Sequence, residues 1–244
     1  MSKPLFIACA GETFPAISQQ EGDFTDWIQA GLGDGVKSFS TDVRSCPPLP
    51  EITSIAGVIV TGSQAMVSDR EPWSERLAQW LRELVAQDVP VLGICYGHQL
   101  LAHAFGGEVG YHPSGIEIGT SDIRLTPGAS DDPLFHTLPS QFSAQEVHRQ
   151  SVLKLPQNAR WLARGEFESH QAFRIGNYGW GVQFHPEFSA TAMRGYITEM
   201  REVLREEGRN PDLLAANVRP SPQAHALLAR FAGFALHRSQ RSHA

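Results

Sequence analysis

The chain has 244 residues, of which 41% are hydrophobic, with a formal net charge of -6 and three cysteines. That length suits one large α/β domain or two small ones, and the apolar share is enough for a full core. The acidic balance argues against a nucleic-acid partner, for which a basic stripe is expected. Cysteines at positions 9, 46 and 95, odd in number and far apart, argue against a disulfide framework or a zinc knuckle and fit a reducing, cytoplasmic setting. No apolar run approaches the roughly 20 residues that a bilayer span needs. No basic run precedes the short apolar segment Pro4–Ala10, so no secretory leader is expected.

Taken in chain order, Leu5–Ala10 reads as a short buried strand, and Val36–Val43 as a second. Ala56–Gly62 is a third strand, ending in glycine. Pro72–Gln87 is an amphipathic helix, with Trp73, Leu77, Trp80, Leu81, Leu84 and Val85 on one face and proline in its first turn. Val89–Ile94 is a buried strand that runs into Cys95, after which a helical pattern begins at once. This alternation predicts a parallel sheet with right-handed crossovers, covered on both faces. From Glu108 to Trp180 the pattern changes. The runs Glu117–Leu125, Phe142–Val147, Val152–Leu155, Trp161–Ala163 and Ala172–Ile175 are split by glycine and proline, which predicts antiparallel hairpins. Trp180–Phe184 returns to a buried strand, and Ala190–Glu207 is helical. Within it, the charges from Arg201 to Arg209 alternate in sign, as on a solvated helix face. Asn210–Pro222 reads as a polar loop and Pro222–Leu236 as a terminal helix, with fraying expected from Arg238 to Ala244. No internal repeat or linker interrupts the chain.

Chemistry concentrates in two places. In Gly93-Ile94-Cys95-Tyr96-Gly97-His98-Gln99 a strand turns sharply into a helix at a cysteine flanked by small residues, the layout of a nucleophile elbow. Such a turn holds the residue at its apex in a strained conformation, and amides at a helix start stabilise negative charge there. Far downstream, Phe184-His185-Pro186-Glu187 ends a strand in a histidine with a carboxylate two residues on. A cysteine nucleophile needs a base to take its proton and a third group to orient that base, and Cys95, His185 and Glu187 supply all three. Thr61-Gly62-Ser63 closes the third strand. Its Gly62 amide, together with that of Tyr96, suits an oxyanion hole.

The order and wording of these motifs, G-I-C-x-G-x-Q followed by F-H-P-E, strongly resemble the class I (triad) glutamine amidotransferases, most of all the glutaminase part of GMP synthetases. The resemblance implies a single flavodoxin-like α/β domain, with a mostly parallel central sheet flanked by helices plus a small antiparallel sheet. It covers about residues 1–200, leaving a C-terminal helical extension at about 205–238. It implies that Cys95 attacks the side-chain amide of glutamine, with His185 as base and Glu187 orienting it. Gln99, one helical turn beyond Cys95, would hydrogen-bond the substrate.

Val147-His148-Arg149-Gln150-Ser151-Val152 falls where relatives commonly have Ser-His-x-Asp-x-Val, a segment that binds the α-amino and α-carboxylate groups of glutamine. His148 and Arg149 are therefore candidate substrate contacts. Val147 and Gln150 depart from the pattern, so a γ-glutamyl compound other than free glutamine is an alternative substrate. No metal-ligand spacing, phosphate loop or dinucleotide fingerprint is present, and no metal or cofactor is expected. Three readings follow: a glutaminase feeding ammonia to a partner synthetase, a self-sufficient γ-glutamyl hydrolase or peptidase, and a non-catalytic regulatory protein. Retention of all three triad residues speaks against the last.

Overall fold

The computed structural model describes residues 3–241. Eleven strands carry the fold: β1 Leu5–Cys9, β2 Ser38–Asp42, β3 Gly57–Val60, β4 Val91–Ile94, β5 Glu108–Tyr111, β6 Glu117–Leu125, β7 Gln141–His148, β8 Gln150–Lys154, β9 Arg160–Arg164, β10 Ala172–Ile175 and β11 Gly179–Val182. Nine of them form one sheet in the order β2-β1-β3-β4-β11-β10-β9-β6-β7, and β5 pairs with β8 in a small antiparallel sheet. The run from β2 to β11 is parallel. From β11 to β7 every pairing is antiparallel, so the predicted hairpin runs extend the central sheet, except Val152–Leu155, which overlaps β8 of the small sheet. The sheet then curls back on itself: Gln145 of β7 bridges His185, just past the end of β11, and the His185 amide donates to the Gln145 carbonyl at 2.8 Å.

The central strands are apolar on both sides because both faces are covered. In β1, Leu5 and Ile7 lie in one core, and Phe6 and Ala8 lie in another, as the two-residue period of a strand requires. The first core is closed by the helices Phe24–Gly31 (with Pro15–Glu21 before it, these are α2 and α1) and Pro222–Arg241. The second is closed by α3 (Pro72–Ala86) and α4 (Tyr96–Ala104). All six apolar α3 positions expected from the periodicity are buried. A third apolar cluster joins Phe24, Phe188 and Tyr196 with Ile116 and Ile118. It includes residues of α5 (Ala190–Glu199) and α6 (Arg201–Glu206).

Three expectations are corrected. The second strand is not fully buried: β2 is an edge strand that pairs only with β1, and Phe39 is exposed. The segment read as a polar loop holds a short helix, α7 (Pro211–Ala216). Asn210 caps it through its side-chain oxygen, which accepts from the amides of Asp212 and Leu213, and Pro211 occupies the first turn. The last helix, α8 (Pro222–Arg241), continues past Leu236. There the Arg238 guanidinium lies 4.0 Å over the Tyr178 ring and donates to the Asp88 carbonyl at 3.0 Å. Fraying expected at 242–244 lies outside the described residues. No helix among the described residues is long and apolar enough to cross a membrane.

Candidate active site

Cys95 sits at the end of β4, with φ 49° and ψ -97°, a conformation that costs free energy for any side chain and needs support on both sides. Its amide donates to Val182 of β11 at 2.9 Å, and its carbonyl accepts from the Gln99 amide at 3.1 Å. Two glycines make the turn possible by close approach. A Cβ on Gly93 would lie 2.3 Å from the Gly97 carbonyl oxygen, and one on Gly97 would lie 2.6 Å from that of Val60. Tyr96 opens α4, so its amide is one of those that lack an intrahelical acceptor. Its ring is buried, stacked on Trp73, and its hydroxyl lies 2.5 Å from Ser74 Oγ. Burial first, then the nearby acids Glu71, Glu75 and Asp69, pushes that phenol well above its ordinary value, although the Ser74 hydrogen bond acts in the opposite sense. The phenol is therefore neutral.

His185 Nδ1 lies 2.7 Å from Glu187 Oε1, and both side chains are buried. Nε2 is buried and has no partner within the protein, so it is the nitrogen available to the thiol. Burial alone would lower the imidazole's affinity for its proton. The charges of Glu187 and Cys95 and the Glu187 hydrogen bond outweigh it and hold the pKa well above the ordinary histidine value. The ring packs against Phe188, at 4.2 Å between centroids, and against Phe24, at 6.2 Å and stacked. Gly62 stands against it: a Cβ there would come within 3.0 Å of His185 Cε1.

Cys95, His185, Tyr96, Gln99, His148 and Arg149 all line one cavity of about 210 Å³. Cys95 Sγ lies 3.7 Å from the Val147 carbonyl oxygen. Gln99 is held from behind, its Nε2 donating to the Gln150 carbonyl at 2.6 Å and to Gln183 Oε1 at 3.0 Å. Both His148 ring nitrogens are engaged inside the protein, Nδ1 with the Gln150 carbonyl and Nε2 with Glu117 Oε2, each at 3.0 Å. His148 therefore shapes the wall and keeps no free ring nitrogen for a ligand. Arg149 is a third exposed and donates from Nη1 to Glu207 Oε1 at 2.5 Å.

The structure adds residues that the sequence reading passed over. Phe14, Phe24 and Tyr196 line the cavity. Phe24 is the first residue of α2, where the Asp23 carboxylate accepts from its amide and from that of Thr13, and the Thr13 hydroxyl donates to the Tyr196 hydroxyl at 2.8 Å. The Asp23-x-x-Asp26 capping box was the available signal for where that helix starts. Beside His148, Glu146 is fully buried, with neither carboxylate oxygen hydrogen-bonded. Burial, and then the charge of Glu117, pushes its pKa well above the usual carboxylate range.

Comparison with known proteins bears on the family and the fold. The family profile "Glutamine amidotransferase class-I" matches residues 27–202. A γ-glutamyl-L-1-hydroxyisopropylamide hydrolase from a Pseudomonas species is 32% identical over 71% of this chain and 64% of its own length, so the chain spans just under two thirds of that relative. A glutamine-hydrolysing GMP synthase subunit of Archaeoglobus fulgidus is 34% identical over 59% of this chain and 73% of its own. The crystal structure of a glutamine amidotransferase from Thermotoga maritima superposes with a TM-score of 0.75 over 98% of this chain and 99% of that one, at 22% identity, a likeness of fold. The profile match spans well over half of the sequence and includes the elbow and the histidine, and the chain belongs to the class I glutamine amidotransferase family.

Proposed function

We propose that this protein cleaves the C–N bond of γ-glutamyl amides, glutamine being the simplest, through a γ-glutamyl thioester on Cys95. The observation that carries this reading is the convergence of the Cys95 elbow and the Glu187-held His185 on one cavity. The Cys95 thiolate attacks the amide carbon. The amides of Gly62 and Tyr96 hold the resulting oxyanion, and losing one such donor typically costs about 3 kcal/mol of transition-state stabilisation. Imidazolium His185 gives its Nε2 proton to the leaving nitrogen as the C–N bond breaks. A water that then loses a proton to His185 attacks the thioester, the C–S bond breaks, and glutamate leaves with thiolate and imidazolium restored. The strong retention of the His185 proton fits the acid step.

When the amide is glutamine, the released nitrogen is ammonia, which a synthetase partner would consume. That is the fate suggested by the Archaeoglobus relative, named for its part in a GMP synthase. A second reading, hydrolysis of a substituted γ-glutamyl amide, is favoured by a specific feature. His185 must touch the leaving nitrogen, and the cavity wall on its side is aromatic. Phe24 stacks on His185, and Tyr196 joins that wall through Phe188 at 4.9 Å and Phe14 at 5.2 Å. Ammonia needs no such wall, whereas an apolar amine does. Release of glutamate and ammonia from glutamine by the purified chain, with Cys95→Ala as control, tests the common chemistry. Activity that survives the substitution, or a complete lack of turnover with both glutamine and γ-glutamyl-benzylamide, would sink it.

A further inference from the structure

A γ-glutamyl substrate carries a zwitterion at its far end, an α-carboxylate and an α-ammonium, and both need partners. Among the described residues that line the cavity there is no Asp, Glu or Lys, and Arg149 is the one with a permanent positive charge. At position 150, where the family resemblance implies an acid, this chain has glutamine. The Gln150 side chain is spent inside the protein: its Nε2 donates to Ser68 Oγ at 2.6 Å, and its Oε1 accepts from the Ser68 amide at 3.3 Å. The α-ammonium therefore has no acid where one is expected.

A candidate acid comes from another element. Glu207, just past the end of α6, reaches across to Arg149 in the turn between β7 and β8. The pair is only about a third exposed, 33% for Arg149 and 30% for Glu207, so it is partly shielded from solvent and salt. One guanidinium nitrogen is committed to Glu207 Oε1, which leaves the outer donors of a five-donor fork and the second carboxylate oxygen. Arg149 follows Val147 by two residues, and the Val147 carbonyl is the group against Cys95 Sγ. Arg149 thus lines the same cavity as the nucleophile. On the other side Met200, which lines the cavity, leads directly into α6.

Building on the γ-glutamyl reading above, we propose that the Arg149–Glu207 pair is the zwitterion clamp of this enzyme, with Glu207 as the acid that recognises the substrate's α-ammonium. The α-carboxylate takes the free edge of the Arg149 fork, and the α-ammonium donates to Glu207. Each half of the pair then gains a partner without losing the other, which is why an ion pair suits a zwitterion better than an isolated charge. Glu207 is a binding residue and takes no part in bond breaking.

The test is calorimetric binding to the full chain carrying Cys95→Ala, which removes turnover. The three ligands are glutamine, glutaramate (no α-ammonium) and 4-aminobutanamide (no α-carboxylate). Adding Glu207→Gln should weaken glutamine roughly 10- to 100-fold, the size of a lost charge-assisted hydrogen bond, and leave glutaramate unchanged. Adding Arg149→Gln should show the converse, with glutamine weakened and 4-aminobutanamide spared. In the otherwise native enzyme, Glu207→Gln should raise KM for glutamine with kcat nearly unchanged, and Glu207→Asp should recover part of the loss. Equal weakening of glutamine and glutaramate would mark Glu207 as merely structural and overturn the proposal, as would an unchanged glutamine affinity or no binding at all. Selective binding by the Cys95→Ala chain with no hydrolysis by the native one would instead refute the hydrolase reading and leave the clamp standing.

Discussion

The elbow makes its firmest demand at Gly93, and a matched pair of glycine substitutions measures it. In Gly93→Ala the new Cβ would stand 2.3 Å from the Gly97 carbonyl oxygen, 2.4 Å from its carbonyl carbon and 2.8 Å from the His98 nitrogen. All three are backbone atoms of the first turn of α4, so no rotamer change relieves the contact. Overpacking a core typically costs 1–3 kcal/mol, and a clash with backbone belongs at the top of that range, about 3 kcal/mol. For a chain of this length each kcal/mol moves the melting temperature by roughly 2–4 °C, so a loss of about 6–12 °C is expected. Moving the first turn also displaces Cys95 and the Tyr96 amide, and glutaminase kcat should fall with the stability. Gly233→Ala is the control. Gly233 lies exposed on α8 with nothing within 4 Å of its would-be Cβ, and the change should stabilise by roughly 0.5–1 kcal/mol. Scanning calorimetry of both variants decides the matter. A Gly93→Ala protein that melts within about 2 °C of the native chain would refute the claim that close approach, and not backbone freedom, fixes this glycine.

Three further outcomes are expected. Glu187→Gln removes the anion that holds the proton on His185, so the basic limb of the kcat/KM profile should move to lower pH, with activity reduced roughly 10²-fold; an unmoved limb would mean that Glu187 does not set it. The raised value also means that protonated His185 contributes stability that is full below about pH 6.5 and lost as pH rises through its folded value. Tyr96→Phe strands the buried Ser74 hydroxyl, which should lower stability by about 1–3 kcal/mol while sparing kcat, because only the backbone of residue 96 is used; thermal melts and steady-state rates separate the two. Glu146→Gln replaces a carboxyl whose folded pKa is raised by burial and by Glu117. The native chain loses stability as pH climbs above the unfolded value near 4.3, so the variant's advantage in melting temperature should grow from pH 5 to pH 8 and vanish near pH 4; a pH-independent difference would show that ionisation is not the cause.

Much of this was legible because single residues carried it. Cys95 between Gly93 and Gly97, and His185 ahead of Pro186, are local signals: a turn that tight admits few residue types, and a proline ends a central strand. Strand existence was equally local, since β6 and β10 are short runs marked off by glycine and proline. What stayed hidden were matters of assembly. No local pattern says that β10, β9, β6 and β7 extend the parallel sheet and curl back to His185, because pairing partners are chosen by distant chain. Glu207 was read as one more charge on a solvated helix face, and its pairing with Arg149 depends on where α6 ends relative to the β7–β8 turn. The Asn210-Pro211 start of α7 was legible in principle and was missed because the surrounding residues are polar.

The two halves of the sheet do different work. The parallel half fixes Cys95: Gly93 and Gly97 approach each other and Val60 more closely than a side chain would allow, and the Cys95 amide donates to Val182. The antiparallel half fixes His185 by one bridge to β7. The same strand supplies the Val147 carbonyl against the thiol, the buried pair of Glu146 and His148, and the turn that carries Arg149. A change at the tip of β7, beyond the bridge, can therefore remodel the substrate wall without moving either the nucleophile or the base. Val147 and Gln150, the two departures from the common pattern, lie at that tip on either side of Arg149, and Gln150 acts there as a neutral tie to Ser68. Under the clamp proposal the acid comes from outside the hairpin, from Glu207, which is bonded to Arg149.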